Sequence, residues 1–189
     1  MLAYGPVRNT TWELTPAERN REIWAVGAGW TIITYTTIGD LVDQIVAELG
    51  MDYLLRELEI SAHGNPRGVD ELSAASAQTL AARWLELYPD DETDIYLSGC
   101  NTGCRWQTGA RCIAEIVSDL IPPGPPTLQP KTYRCTVYGS VGTLTGTHAG
   151  GDASATASSF LWSRDGAEAT KTPSFPWGAY RGFRGENSA

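Results

Sequence analysis

Two short sequences decide the predicted fold: LEISAHG at residues 58–64 and IYLSGC at residues 95–100. In each one, apolar residues that favour β-structure run into a glycine, which is the pattern of a strand ended by a turn. His63 therefore comes at the carboxyl end of the first predicted strand, and Cys100 comes at the carboxyl end of the second.

Three helices are predicted between and around these strands. Residues 38–49 carry apolar side chains at helical spacing, and Gly50 stands where a left-handed C-terminal cap is wanted. Residues 74–87 and 108–120 give two further helices, and a shorter helix is expected at the Thr15-Pro16 start signal. In the second helix, we expect Leu80, Trp84 and Leu85 to pack in the core.

Further strands are predicted at residues 30–36 and 132–138, so strand and helix alternate along the chain. This alternation predicts an α/β fold with a mainly parallel central sheet and helices on both faces. We expect one domain over residues 1–189, with a core at about 30–151 and an aromatic C-terminal segment that packs back on it. In such sheets the functional crevice lies outside the carboxyl ends of the strands, where His63 and Cys100 are placed.

Composition limits the classes of partner. A chain of 189 residues that is 42% hydrophobic and 19% charged can bury one substantial core. Its net charge of -8 disfavours nucleic acid and anionic membranes as partners, because both are polyanions. There is no run of 18 apolar residues and no signal-peptide pattern at the start, so a cytoplasmic location is expected.

The cysteines are expected to be free thiols, since four that fall within one part of the chain do not make a disulfide framework. They are Cys100, Cys104, Cys112 and Cys135. Zinc held by these cysteines and the two histidines is an alternative, but burial on a helix and on a strand accounts for Cys112 and Cys135. We therefore predict neither metal nor cofactor. Cys104 is left as either a resolving thiol near Cys100 or a loop residue.

The pairing of His63 with Cys100 carries the chemistry. A thiol attacks only as thiolate, and a neighbouring imidazole removes its proton or stabilises it as an ion pair. Gly64 allows the backbone to approach a substrate closely, and Gly99 frees the turn that presents Cys100. The backbone N–H groups of Gly64 and Cys100 are placed to polarise a carbonyl oxygen.

A strand ending in His-Gly, a helix, and a strand ending in Gly-Cys together resemble the caspase-like cysteine peptidases of clan CD. The likeness covers roughly residues 30–151 and is greatest to bacterial branches: CHAT peptidases, surface-protein domains and self-processing toxin domains. It implies a three-layer sandwich in which His63 is the catalytic histidine and Cys100 the nucleophile. The amides of Gly64 and Cys100 would form the oxyanion hole. The resemblance also implies cleavage of a peptide bond through an acyl-enzyme, without a third acidic residue.

Two later residues are weaker candidates for substrate binding. In this clan the pocket for the residue before the cleaved bond is lined by strand ends and later loops, so Asp152 is a candidate for recognising a basic side chain. His148 lies in the same glycine-rich loop. The implied partner is a protein or peptide, with the chain itself as one candidate substrate. Toxin-type relatives bind inositol phosphate through a basic surface, and no Lys/Arg cluster matches it here. The alternative function is a caspase-like recognition or scaffolding module whose cysteine chemistry is idle.

Overall fold

The structure is a computed structural model, and it describes residues 1–4, 29–50, 53–62, 64–99, 101–103, 110–121, 134–140, 160–162, 168–169 and 180–184. Its first strands and helix are β1 (Leu2–Tyr4), β2 (Ile32–Thr34), α1 (Ile38–Leu49) and β3 (Leu55–Ser61). A small sheet follows, made of β4 (Gly64–Asn65), β5 (Gly68–Val69) and β6 (Leu72–Ser73). Then come α2 (Ala77–Ala82), a 3-10 helix (Trp84–Leu87), β7 (Pro89–Ser98), α3 (Ile113–Leu120) and β8 (Arg134–Ser140). The last strands are β9 (Phe160–Trp162), β10 (Glu168–Ala169) and β11 (Tyr180–Arg184).

The main sheet has the strand order β10-β9-β11-β8-β7-β3-β1-β2 within the described residues. Five neighbouring strands, from β2 to β8 in that order, are all parallel. Within the described part of this sheet, only β8 with β11 and β9 with β10 pair antiparallel. The predicted α/β class with a mainly parallel sheet is therefore confirmed.

Strand β2 is shorter than predicted and occupies a different place. It was expected at residues 30–36 as the first core strand, but it spans Ile32–Thr34 at the described edge of the sheet. Strand β1 lies between β2 and β3, with Ala3 paired to both Ile33 and Ile60. Three residues carry too little alternation to signal a strand, so β1 was not predicted.

Helix α1 matches its prediction at both ends. The Thr37 hydroxyl accepts a hydrogen bond from the Asp40 backbone N–H at 3.1 Å, which caps the first turn. Leu41, Val42 and Ile45 are fully buried along one face. Gly50 ends the helix as predicted, with a φ of 61° and its N–H donating to the Val46 carbonyl, but its ψ of -156° is not that of the left-handed cap that was expected.

The predicted helix at 74–87 is instead two shorter pieces. Helix α2 ends at Ala82, and the chain tightens into a 3-10 helix from Trp84. With three residues per turn, Trp84 and Leu87 share the buried side. The expectation that Leu85 packs in the core is wrong, because its side chain is 45% exposed. Leu80 and Trp84 are buried, as expected.

Helix α3 begins later than predicted. It starts at Ile113 because residues 110–112 are not helical, and Cys112 is its N-cap rather than a residue of its apolar face. Cys112 is nevertheless fully buried, while Leu120 at the other end is 36% exposed. The buried face of α3 itself is formed by Ile113, Ala114 and Val117.

The three described helices lie on one face of the sheet. The connections from β2 to β3, from β3 to β7 and from β7 to β8 all step in the same direction, and parallel crossovers are right-handed. Helix α2 accordingly contacts both α1 and α3. Helices on both faces remain a prediction, because the expected helix at Thr15-Pro16 lies outside the described residues.

The two faces of the central strands differ in character. The face toward the helices is apolar, with Leu58, Ile95 and Val137 in one cross-strand row. The opposite face carries the row Glu59, Tyr96 and Tyr138, all of them buried. The two tyrosine rings stack with centroids 4.7 Å apart. Burial on both faces is typical of the centre of a parallel sheet.

Three short strands late in the chain belong to the main sheet. Strand β11 pairs antiparallel with β8, and β9 pairs parallel with β11. None of the helices within the described ranges combines the length and the hydrophobicity needed to cross a bilayer.

Candidate functional site

The candidate site lies at the carboxyl edge of the sheet, where β3 and β7 end side by side. Ser61 pairs with Ser98 as the last residue of each strand, and the Ala62 N–H donates to the Ser98 carbonyl at 3.4 Å. Both serines are buried. Positions 63 and 100 each come two residues after this pair, so they are equally far along the chain from the ends of β3 and β7.

Beyond the strand ends, two glycines bring the separate chain segments into backbone contact. A methyl group built on Gly64 would lie 2.7 Å from the Gly99 Cα, and one built on Gly99 would lie 2.8 Å from the Gly64 Cα. Real Cβ atoms do not approach backbone so closely, so only glycine fits at either position. Each of these two glycines is therefore needed because the backbone of the other leaves no room for a side chain.

The turn after β7 is closed by one side chain. Asn101 has a φ of 59°, a left-handed conformation that asparagine tolerates better than most residues. The Thr102 hydroxyl, fully buried, donates to the Leu97 carbonyl at 2.6 Å and lies 3.2 Å from the Gly99 carbonyl. The turn is thus bonded back to the strand from which it comes.

A second glycine pair fixes the other side of this turn. A methyl group on Gly103 would lie 2.3 Å from the Gly139 carbonyl oxygen, which belongs to β8. The interpretation of Gly139 as the start of a loop is wrong, since β8 continues to Ser140. Gly99 is therefore in contact with Gly64, and Gly103 with Gly139.

The amino end of α3 joins the two loops of the site. The Ile113 N–H donates to the Pro66 carbonyl at 2.8 Å, and the Ala114 N–H donates to the Thr102 carbonyl at 3.3 Å. Pro66 belongs to the turn between β4 and β5, and Thr102 to the turn after β7. These two N–H groups lack partners within the helix, so the loops satisfy them.

The half-buried acid Asp70 lies near the candidate site, at the tip of the β5–β6 hairpin, with its carboxylate oxygens shielded from solvent. Val69 packs its Cγ2 methyl 2.9 Å from the position of a Cβ on Gly99, and Asp70 follows with a φ of 50°. Burial raises the pKa of the Asp70 carboxyl, and the nearby Glu71 carboxylate raises it further. The Glu71 backbone N–H and the Tyr35 hydroxyl are close enough to lower this pKa by smaller amounts, although among the described residues neither makes a hydrogen bond of normal geometry to the carboxylate.

The same carboxylate affects Tyr35, which is 1% exposed. Burial raises the pKa of the Tyr35 hydroxyl, and Asp70 raises it further. A carboxylate kept from water beside a buried hydroxyl is a costly arrangement, and Asp70 also adopts a backbone conformation that few non-glycine residues accept. This turn is under strain next to the candidate site.

The predicted site residues fall in two groups. Gly64 and Gly99 are where the strand ends were expected to bring them, in mutual contact. The remaining candidates lie outside the described residues: His63, Cys100, Cys104, His148 and Asp152.

Two of the four cysteines are described: Cys112 is buried and Cys135 is half-buried. Cys112 is fully buried, and burial raises the pKa of the Cys135 thiol, with a smaller contribution from Asp94. Within the described part of the chain, no three acidic, histidine or cysteine side chains are grouped to hold a metal ion. Neither of these two thiols has the features of a reactive cysteine.

Several site residues were not found from the sequence, namely Val69, Asp70, Thr102, Gly103 and Gly139. The Asn-Thr-Gly composition after Cys100 does signal a tight turn, and a left-handed residue at Asn101 fits that signal. By contrast, the contact between Gly103 and Gly139 joins segments far apart in the chain, and no local pattern marks it.

A scan against protein-family models, a search of curated proteins and a search of solved structures each found no match to this chain.

Proposed function

We propose that the chain is a cysteine endopeptidase with a caspase-like fold, in which His63 activates Cys100 for attack on a peptide bond. The observation that carries this proposal is the backbone contact of Gly64 with Gly99 at adjacent strand ends. His63 is bonded directly to the first glycine and Cys100 to the second. A nucleophile and its base have to be neighbours, and this contact supports that arrangement.

The reaction follows from the chemistry of the two side chains. The imidazole of His63 takes the thiol proton, and the thiolate of Cys100 attacks the scissile carbonyl carbon. The N–H groups of Gly64 and Cys100 stabilise the oxyanion, the amine leaves with a proton from His63, and water hydrolyses the acyl-enzyme.

The rigid surroundings of the turn support the same proposal. Catalysis depends on holding the reacting groups in position before the substrate arrives. The turn 99–103 is fixed by the Thr102 hydroxyl, by two glycine contacts and by the amino end of α3.

The proposed substrate is a protein or peptide, and segments of this chain itself are candidates. The net charge of -8 favours a neutral or basic partner. Asp152 and His148 stay proposals for substrate binding.

The test is to label the folded protein with a limiting amount of a peptide acyloxymethyl ketone and to map the modified thiol by mass spectrometry. Cys100 should be labelled first, and Cys112 and Cys135 serve as shielded internal controls. In a peptide-library assay, Cys100→Ala and His63→Ala should each abolish cleavage, and the double variant should be hardly worse than either one.

The matched control is Cys104→Ala, which should keep most of the activity. Cleavage by Cys100→Ala would refute the proposal. Labelling of Cys100 with peptide binding but no cleavage would favour the recognition or scaffolding module.

A further inference from the structure

We propose that Thr102 is a positioning residue that sets the distance between the two strand ends of the site and so makes Cys100 reactive. This inference rests on the proposed cysteine and histidine function. One side chain reaches both strands: its hydroxyl bonds to the end of β7, and its methyl group touches the residue that follows His63.

The hydroxyl controls the turn that contains Cys100. It donates at 2.6 Å to the carbonyl of Leu97, still within β7, and lies 3.2 Å from the carbonyl of Gly99. These carbonyls belong to the chain immediately before Cys100. The hydroxyl thereby fixes the direction in which the chain leaves the strand, because both acceptors are on the backbone.

The methyl group controls the approach of β3. The Thr102 Cγ2 lies 2.9 Å from the position that a Cβ would occupy on Gly64. It therefore fills the space beside the glycine and leaves Gly64 in contact with Gly99. A threonine combines these two functions on one Cβ, whereas serine and valine each supply only one of them.

The backbone of Thr102 is itself held in place. Its carbonyl accepts the Ala114 N–H at the start of α3, while the adjacent Ile113 N–H binds the Pro66 carbonyl from the turn between β4 and β5. Gly103, next in the chain, is pressed against Gly139. These contacts hold the Thr102 backbone, and they therefore also fix the position from which its side chain contacts Leu97, Gly99 and Gly64.

The two halves of the side chain can be removed one at a time. Thr102→Val keeps the shape and loses the hydroxyl, so the buried Leu97 carbonyl loses its donor and the turn is released. Thr102→Ser keeps the hydroxyl and loses only the methyl group. We expect the hydroxyl to matter more, because it acts on the chain that carries Cys100.

The fold offers a matched control at the other end of the same sheet. Thr93 is also buried, and its hydroxyl donates to the Leu55 carbonyl at 2.9 Å and lies 3.3 Å from that of Asp90. Thr93→Val therefore removes the same kind of hydrogen bond near the start of β7. It should cost similar stability without touching the candidate site.

The experiment measures the rate of iodoacetamide modification of Cys100 against pH, read from the Cys100 peptide by mass spectrometry. In Thr102→Val the rate near neutral pH should fall on the order of tenfold to a hundredfold, with the profile moved toward that of an ordinary thiol. Thr102→Ser should stay within about threefold of the wild type, and Thr93→Val should match the wild type, because neither variant releases the turn.

Each outcome decides the matter. Unchanged reactivity in Thr102→Val, or an equal loss in Thr93→Val, overturns the positioning role while leaving the proposed enzyme intact. If Thr102→Val does not fold, Thr102→Ala, which also lacks the hydroxyl, is measured in its place with Thr93→Ala as its control: unchanged reactivity overturns the positioning role, and a loss that Thr93→Ala does not share supports it. A wild-type Cys100 with the reactivity of an ordinary thiol overturns the proposed function and this inference together.

Discussion

Replacing Gly139 by alanine should destabilise the protein and disturb the turn that carries Cys100. The added methyl group would lie 2.4 Å from the Gly103 nitrogen, 2.5 Å from the Gly103 Cα and 2.7 Å from the Thr102 carbonyl carbon. All three are backbone atoms, so no flexible side chain can move aside. Strand β8 and the turn must separate by roughly 1 Å to reach ordinary van der Waals contact.

Overpacking of this kind costs about 1–3 kcal/mol. For a chain of this size, about 2–4 °C of melting temperature is lost per kcal/mol, so a decrease of roughly 2–12 °C is expected. The assay is urea unfolding followed by far-UV circular dichroism, with thermal melts and Cys100 alkylation rates on the same samples. We expect the alkylation rate at Cys100 to fall together with the stability.

The control is Gly39→Ala, the same chemical change in helix α1. There the nearest atom to the added methyl group is the Thr37 hydroxyl oxygen at 3.7 Å, an ordinary contact. Alanine is the better helix former, so this variant should gain up to about 1 kcal/mol. If Gly139→Ala is as stable as the wild type, or moves in the same direction as Gly39→Ala, the contact between β8 and the turn has been misjudged.

Three other perturbations test the core, the strained acid and a helix cap. Trp84→Ala should cost about 3–5 kcal/mol in urea unfolding and the exposed Leu85→Ala less than about 1 kcal/mol; equal losses would contradict the 3-10 geometry. Asp70→Asn should raise the melting temperature at neutral pH. Because burial raises the folded-state pKa of this carboxyl, the ionised form is destabilised, so the gain should shrink as pH falls toward the unfolded value of about 3.9, and a pH-independent gain would count against it. Thr37→Ala should lower the free energy of unfolding by about 1 kcal/mol, and Thr37→Ser, which keeps the capping hydroxyl, by much less. Equal stabilities of the two variants would show that the cap contributes nothing.

The sequence predicted those helices and strands whose ends are marked by residues close by in the chain. Helix α1 has a threonine cap, an apolar stripe and a terminal glycine, and both of its ends were predicted. Glycine marked the ends of the strands before His63 and Cys100, but the contact between Gly64 and Gly99 was not predicted, because no local pattern shows that two turns meet. The parallel sheet followed from the alternation of strand and helix.

Features set by distant contacts were not predicted. The chain changes from α2 to a 3-10 helix at Arg83, whose guanidinium binds the Gly39 carbonyl and the Asp43 carboxylate of α1. Those partners are about forty residues away along the chain, so the local helical pattern gives no hint of the break. The role of Thr102 is hidden in the same way, because its side chain acts on strands that meet only in the folded sheet.

Strand β11 has a mechanical consequence for the candidate site. Its Arg181 pairs with Gly139, the residue whose backbone presses on Gly103. No side chain lies between these backbones to absorb a displacement, and close-packed interiors transmit strain. A force on β11 would therefore displace β8, and β8 would displace the turn at Gly103. A partner that binds β11 would in this way change the position of the turn that follows β7.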